Sequence, residues 1–258
     1  MLLYFIQPYK REKMSKKIII TCTALILLLS TFAKDYNASF FGIKSDGVTL
    51  NTASIQYAID YISKNGGGQL NFYVGRYLTG SFHLKPNVTI KLYEGAVLVA
   101  FQSIYDYFYI NNTPALILAD NVENISIIGK GVIEGNGQSV LDSLTEQVEK
   151  GFLPASELQN KPALIYFNGC SNVKLEGIIL RSACGDAQNY SDCKGVNISN
   201  VTIESKAVSG SRGVVITNCQ GVNLEKSYID TAGKEVDIDR TSKSVSVKET
   251  INPKGKKL

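Results

Sequence analysis

The sequence predicts an all-β chain that folds as a single-stranded, right-handed parallel β-helix with an N-terminal capping helix. Two patterns support this fold class: a series of short repeated segments with alternating apolar residues, and one amphipathic helix that precedes them. The composition agrees, since 44% hydrophobic residues with 22 Gly and 6 Pro are typical of a globular chain. We predict three parts: a signal peptide (1–33), a β-helix domain (34–250) and a basic tail (251–258).

Residues 1–33 have the pattern of a secretory signal peptide. Lys16 and Lys17 precede an apolar run at 18–29, and small residues lead to Ala33, the expected cleavage site. The run is shorter than the roughly 20 residues of a membrane span. Met14 is an alternative start. We therefore expect export, to the periplasm or the medium, and no membrane attachment after cleavage.

The charge distribution argues against nucleic-acid binding. The formal net charge is +4. Residues 1–33 contribute +4 and the last eighteen residues contribute another +4, so the remainder, 34–240, carries −4. Because the predicted ordered body is mildly acidic, it offers no broad basic face to a nucleic acid.

The capping helix is predicted over residues 52–63. Its apolar face is formed by Ile55, Ala58, Ile59 and Ile62, which follow the i, i+3, i+4, i+7 spacing. Three glycines, 66–68, end the helix. A helix in this place covers the open end of a solenoid. A second helix is predicted in an insertion at 138–161.

The repeats predict the coils of the solenoid. Segments 170–180, 193–203 and 219–229 share the form Cys-x-x-Val-x-(Ile/Leu)-x-x-x-x-(Ile/Leu), at offsets of 23 and 26 residues. Strands without a helix in each repeat are typical of a parallel β-helix, whose coils stack about 4.8 Å apart. Cys170, Cys193 and Cys219 then form a ladder of small apolar side chains. A metal or redox role for them is the alternative.

Several motifs within about residues 35–240 carry a resemblance to a known family. They are the opening segment 41–60 and Gly66-Gly-Gly, Gly75-Arg-Tyr-Leu-Thr-Gly, Leu84-Lys-Pro-Asn-Val-Thr-Ile, Leu92-Tyr-Glu-Gly-Ala-Val-Leu and Ile127-Ile-Gly-Lys-Gly-Val-Ile-Glu-Gly-Asn-Gly. Together they resemble glycoside hydrolase family 28, the polygalacturonase-like proteins with a pectin-lyase-like β-helix. This resemblance implies inverting hydrolysis of acidic pectic chains by a carboxylic acid and a carboxylate base.

The catalytic positions that the resemblance implies do not hold acids. The family's Asn-x-Asp-Gly turn falls on residues 210–213, which puts Arg212 at the position of the acid. Its Asp-Asp pair falls on Gly233 and Lys234, and the only His is His83, in an early coil. Arginine stays protonated and cannot act as a general acid. No family catalytic residue is intact, and hydrolysis by the family mechanism is not supported.

Three acids lie close to these positions. Glu235, Asp237 and Asp239 alternate with Val236 and Ile238, so one strand is predicted to point three carboxylates outward. Three interpretations stay open: a solvated face on which Arg212 pairs with Glu235, a relocated acid–base pair, or a Ca²⁺ site, since clustered carboxylates suit a hard cation. No other cofactor is expected.

Further cleft residues are predicted in segment 184–190, which resembles a family segment that lines the cleft. Asn189 is expected to hydrogen-bond to a sugar and Tyr190 to stack on it.

Three functions follow as alternatives: a secreted glycosidase of pectic polysaccharide, a non-catalytic binder of acidic glycans that uses Arg212 and Lys234, and an incomplete, inactive product. The expected partner is an acidic plant-type polysaccharide or oligosaccharide, and the protein is expected to be a monomer.

Overall fold

The computed structural model describes residues 34–258, which form one compact unit. The predicted signal peptide and Met14 lie outside these residues. Of the two α-helices in this part of the chain, neither is long and apolar enough to cross a membrane. The architecture is the predicted right-handed parallel β-helix, so the fold prediction is confirmed.

The chain winds through three parallel sheets, one strand per sheet in each complete coil. Sheet A has eight strands: β1 (Asp35–Asn37), β2 (Gly68–Phe72), β5 (Val88–Leu92), β9 (Glu123–Gly129), β12 (Ser171–Glu176), β15 (Lys194–Ser199), β18 (Gln220–Glu225) and β21 (Lys243–Lys248). Sheet B has six strands: β3 (Gly75–Thr79), β6 (Ala96–Ala100), β10 (Val132–Glu134), β13 (Ile179–Arg181), β16 (Thr202–Ser205) and β19 (Tyr228–Thr231).

Sheet C completes each coil and is the sheet next to the predicted site. Its strands are β4 (Phe82–His83), β8 (Thr113–Asp120), β11 (Ala163–Asn168), β14 (Gln188–Ser191), β17 (Val214–Thr217) and β20 (Val236–Ile238), with β7 (Phe108–Ile110) antiparallel to β8. The register aligns Tyr166 with Asn189, Asn189 with Val215, and Val215 with Asp237. These four side chains therefore form one outward column, because alternate residues of a strand point to opposite faces.

The capping helix α1 (Thr52–Lys64) has the predicted apolar face. Ile55, Ala58, Ile59 and Ile62 are fully buried. The helix lies against the first strands of sheets A and C. It covers apolar side chains that the first coil would otherwise expose. The second helix, α2 (Gly137–Glu149), and a 3₁₀ helix (Ala155–Gln159) lie in the predicted insertion.

The cysteine ladder lies inside the coils as the repeat predicts. Cys170, Cys193 and Cys219 are buried, and none of them forms a disulfide with another described cysteine. The Cys193 thiol donates to the Ser191 carbonyl over 3.2 Å, and the Cys193 amide donates to the Cys219 sulfur over 3.3 Å. The thiols thus take part in the backbone hydrogen bonding of the corner between sheets C and A.

The bounds of the predicted parts stay a prediction, and the structure describes residues 251–258 as a folded segment. Segment 251–258 folds back as a hairpin: Ile251 pairs with Tyr228 and with Lys257, and the Leu258 amide donates to the Thr250 carbonyl over 3.0 Å. Gly255 supplies the left-handed residue of the turn, at φ 68°. The turn signal Asn-Pro-Lys-Gly marks a chain reversal rather than a free tail.

Candidate functional site

The predicted site residues meet where the chain enters sheet C. In successive coils, the loops before β14, β17 and β20 bring Asp186, Arg212 and Lys234 to the same edge of the sheet. Adjacent coils are about 4.8 Å apart, so long side chains reach from one coil to the next.

Arg212 is the centre of an ion-pair network. Its Nε and Nη2 atoms donate to the two carboxylate oxygens of Asp186, over 2.8 and 2.9 Å. Its Nη1 atom donates to Asp237 Oδ2 over 3.0 Å. The hydrogen bonds and the charge of Asp186 raise the pKa of Arg212 above its ordinary value. Asp237 raises it further, by a smaller amount. The guanidinium therefore stays charged and fixed in a fork geometry.

Lys234 completes the network from the next coil. Its Nζ atom donates to Asp237 Oδ1 over 2.6 Å, so each Asp237 oxygen has a cationic partner. Hydrogen bonding from Lys234, then from Arg212, lowers the pKa of Asp237. Two cations and two carboxylates make the network neutral as a whole. We refer to Asp186, Arg212, Lys234 and Asp237 as the Arg212 network.

Exposure differs across the network. The Asp186 side chain is only 14% exposed, Arg212 38% and Lys234 60%. Asn189 donates to Asp186 Oδ2 over 2.9 Å, which gives that carboxylate a third donor. The network is therefore anchored at Asp186 and open to solvent at Lys234.

Gly233 has no room for a carboxylate. A Cβ atom built there would lie 2.8 Å from the Ser211 carbonyl oxygen, and the Gly233 amide donates to the same oxygen over 2.7 Å. An acidic side chain at this position requires the loop at 210–211 to move. The position thus lacks an acid in sequence and excludes one by packing.

The predicted pairing of Arg212 with Glu235 is wrong. Glu235 instead accepts from Asn252 Nδ2 over 3.1 Å, and this bond lowers its pKa. Arg212 reaches Asp186 and Asp237 because these residues point to the outer face of sheet C, whereas Glu235 turns toward the terminal hairpin.

Asp239 has a turn-forming role. Its Oδ1 atom accepts from the Ser242 amide over 3.0 Å and from the Asn218 amide over 3.2 Å. Hydrogen bonds from Ser242 and Thr241 lower its pKa to about 2. Glu235, Asp237 and Asp239 therefore hold three separate sets of partners. Among residues 34–258, no three His, Cys, Asp or Glu side chains are grouped so that they could hold a metal ion.

The prediction for Tyr190 is wrong. Its side chain is fully buried, with its ring centre 5.9 Å from that of Phe167, and its hydroxyl donates to Gln188 Oε1 over 2.8 Å. Because Tyr190 and Asn189 are neighbours in β14, they point to opposite faces, and only Asn189 reaches the outer one. Tyr190 cannot stack on a bound sugar.

Asp186 is the site residue that sequence reasoning missed. It lies 26 residues before Arg212, the same offset that separates Cys193 from Cys219. That spacing puts the two side chains on adjacent coils. The lone His83 is far along the sheet: it lies in β4, with its ring centre 5.9 Å from that of Phe108.

Comparisons with known proteins agree with the fold and the motifs. The profile of glycosyl hydrolases family 28 matches residues 75–256. A solved structure from Parabacteroides merdae is 46% identical, with a TM-score of 0.83, over 87% of this chain and 100% of its own.

Two curated relatives are more distant in sequence. An exo-poly-alpha-D-galacturonosidase of Dickeya chrysanthemi is 24% identical over 79% of this chain and 41% of its own length. Polygalacturonase-2 of Solanum lycopersicum is 25% identical over 82% of this chain and 46% of its own length. The chain thus spans less than half the length of these relatives. With the profile matching well over half of its residues, the chain belongs to glycosyl hydrolases family 28.

Proposed function

We propose that this protein acts in pectic polysaccharide metabolism as a binder of acidic glycan chains that does not hydrolyse them by the family's acid–base pair. The binding surface is the outer face of sheet C next to the Arg212 network. Export through residues 1–33 and a monomeric state stay predictions.

The Arg212 network carries this proposal. Inverting hydrolysis needs one protonated carboxylic acid at the leaving oxygen and one carboxylate that activates water. A guanidinium with a raised pKa cannot supply the proton. The nearby carboxyls of Glu235, Asp237 and Asp239 all have lowered pKa values, which keeps them ionised when a general acid has to be protonated.

Three features support glycan binding on this face. Lys234 is mostly exposed, so its ammonium group can leave Asp237 and form an ion pair with a ligand carboxylate instead. Asn189 adds a half-buried amide to the same outward column. Farther along the sheet, the half-exposed Phe108 ring beside His83 offers a flat apolar surface. Such a combination of aromatic and polar groups suits a sugar chain, and the curated relatives are named for action on polygalacturonate.

Retention on immobilised polygalacturonate tests the proposal. We expect the purified protein to be retained at low ionic strength and released by salt, because the contact is ionic and exposed. Lys234→Glu, which adds a second negative charge beside Asp237, is expected to weaken retention. Lys64→Glu, an exposed change on α1 at the first coils and several coils from the Arg212 network, serves as the control.

Two results of the retention experiment would contradict the proposal. Absence of retention of the native protein at low salt overturns the binding proposal. Equal weakening by Lys234→Glu and Lys64→Glu overturns the assignment to sheet C, since it shows that only net charge matters.

A further inference from the structure

A second surface lies at the corner where the chain passes from sheet A to sheet B, away from sheet C. One groove there, of about 580 Å³, is lined by Lys91, Tyr93, Gly129, Gly177 and Asn200 among others. A second groove, of about 380 Å³, includes Asn200 again and continues to Lys226, Tyr228 and Glu249. We call the two together the corner track.

The floor of the corner track is bare backbone over two coils. A Cβ atom at Gly177 would lie 2.3 Å from the Gly129 carbonyl oxygen, and one at Gly129 would lie 2.0 Å from the Leu92 carbonyl oxygen. Both glycines also have positive φ, 75° and 126°. Because no side chain fits there, the corner is recessed where it turns from one sheet to the next.

The track follows the axis of the β-helix. The register stacks Lys91 on Ile128, Ile128 on Glu176, and Glu176 on Ser199. Each step is about 4.8 Å, so the track spans about 14 Å from Tyr93 to Asn200 and about 24 Å to Glu249. It is long and shallow, which suits an extended chain better than a single small molecule.

One wall is aromatic. The Tyr93 ring is nearly parallel to that of Tyr73, at 14° with the ring centres 4.8 Å apart. Tyr73 is 44% exposed. Stacked tyrosines with an exposed edge present apolar surface and a polar hydroxyl together. Rings of this kind match the apolar faces and hydroxyl rims of sugars.

The cations of the track have no carboxylate partner among the described residues. Lys91 Nζ lies 4.8 Å from the centre of the Tyr93 ring, and Lys130 is exposed at the groove. Neither lysine has an ion-pair partner within residues 34–258, whereas Glu176 is paired with Lys174. Glu94 is then the one unpaired carboxylate of the first groove, beside two free cations. With Lys174 counted, the first groove has three lysines against Glu94 and Glu176, while Lys226 and Glu249 cancel in the second. This excess of one positive charge favours an acidic ligand.

We propose that the corner track binds an extended acidic oligosaccharide, with a sugar ring at the exposed edge of the Tyr73–Tyr93 pair and its carboxylates toward Lys91 and Lys130. The class of ligand rests on the function proposed above, but the site does not share a residue with the Arg212 network. The protein thus holds a polyuronate chain at two places around its coils.

Calorimetric titration with galacturonate oligomers of defined length, at low salt, tests the track. In a Lys234→Glu background, in which the sheet C surface is weakened, the double variant Lys91→Ala/Lys130→Glu is expected to lose about tenfold in affinity for the oligomers, equivalent to about 1.4 kcal/mol. Lys44→Ala/Lys64→Glu, which changes the net charge by the same three units at exposed positions outside the track, is the charge control. Because both track lysines are solvent-accessible side chains, we expect the thermal unfolding midpoint to stay unchanged.

A second pair of variants tests the stacking. Tyr93→Phe keeps the ring and is expected to keep most of the affinity, while Tyr93→Ala is expected to lose it. Circular dichroism confirms that each variant is folded. Longer oligomers are expected to bind more tightly than a dimer, because only they extend along the track.

Three results overturn the proposal: native affinity in the double lysine variant, equal binding of a neutral galactan oligosaccharide of the same length, or an unchanged affinity in Tyr93→Ala. The variant Lys234→Glu separates failure of the sheet C proposal from failure of the track proposal, because it is expected to leave binding at the corner track intact. A protein that binds oligomers normally with Lys234→Glu but not with the double lysine variant supports the track and contradicts the sheet C surface.

Discussion

The two faces of sheet C are stabilised in different ways. The inner face is a stack of apolar residues and a buried tyrosine, in which Phe167, Tyr190 and Ile216 follow one another in register. The outer face joins side chains from three coils in the Arg212 network. The inner face is fixed by the repeat within each coil, whereas the outer face depends on which charged side chains of different coils reach one another. The inner face of sheet C therefore carries the repeat that makes the fold, and the outer face carries the charged residues that are particular to this chain.

The largest expected effect is on the inner face. Tyr190→Ala removes a fully buried ring and leaves the Gln188 side chain without its donor. We expect a loss of about 3–5 kcal/mol in the free energy of unfolding, the usual cost of deleting a large buried side chain. Urea unfolding measures it. The neighbouring Asn189→Ala is expected to cost less than about 1 kcal/mol, since Asn189 lies on the outer face. Equal costs for the two changes would contradict the assignment of the faces.

The next effect concerns the centre of the outer face. Arg212→Ala leaves the mostly buried Asp186 carboxylate without its cation. We expect a loss of about 1–3 kcal/mol, because an unpaired buried acceptor keeps its desolvation cost. Arg181→Ala is the matched control, since its pair with Glu204 is exposed and held at 3.4 Å. Its expected cost is less than about 1 kcal/mol. If both variants unfold at the same urea concentration, the Arg212 network contributes no more to stability than the exposed Arg181–Glu204 pair.

A smaller effect is expected at the open end of the network. Lys234→Ala removes an exposed cation, and Asp237 keeps its hydrogen bond from Arg212. The expected cost is about 0–1 kcal/mol. Thermal unfolding of Lys234→Ala, Arg212→Ala and the double variant measures the coupling. A double variant whose loss equals the sum of the single losses would show that the two cations act independently.

These contrasts show how far the sequence could predict the structure. The alternation of apolar residues and the Cys-x-x-Val repeat predict the coils and the cysteine ladder, and the spacing of Ile55, Ala58, Ile59 and Ile62 predicts the capping helix. Such patterns report burial, which is a property of each residue in its own strand.

The ion pairs could not be predicted in the same way. Three acids lie on the coils next to Arg212: Asp186, Glu235 and Asp237. Arg212 pairs with Asp186 and Asp237 and not with Glu235, because each side chain leaves the backbone in a different direction. The prediction for Tyr190 fails because a tyrosine beside a polar asparagine suits either face of a strand. The register of β14, which fixes the face, follows only from the coil as a whole.

The smallest expected effect is the dependence of stability on acid pH. The folded state lowers the pKa of Asp237 and of Glu235, and lowers that of Asp239 from 3.8 to about 2. A carboxyl with a lowered pKa stabilises the fold fully above its unfolded value and loses that contribution as the pH falls through its folded value. We expect the unfolding midpoint to be steady down to about pH 5 and to fall between about pH 5 and pH 2. Asp237→Asn is expected to make this fall shallower. An identical fall in Asp237→Asn and the native protein would show that the Asp237 ion pairs add nothing measurable.

The central claim is that the Arg212 network replaces acid–base hydrolysis at the family's catalytic positions. The most direct test incubates the purified protein with polygalacturonate, at pH values from 4 to 8, and measures the release of reducing ends. We predict no release above that of a heat-unfolded sample, from a protein that is retained on immobilised polygalacturonate. Release by the native protein that disappears in Asp186→Asn or Asp237→Asn would contradict the claim, because it would show that the carboxylates held by Arg212 carry out the hydrolysis themselves.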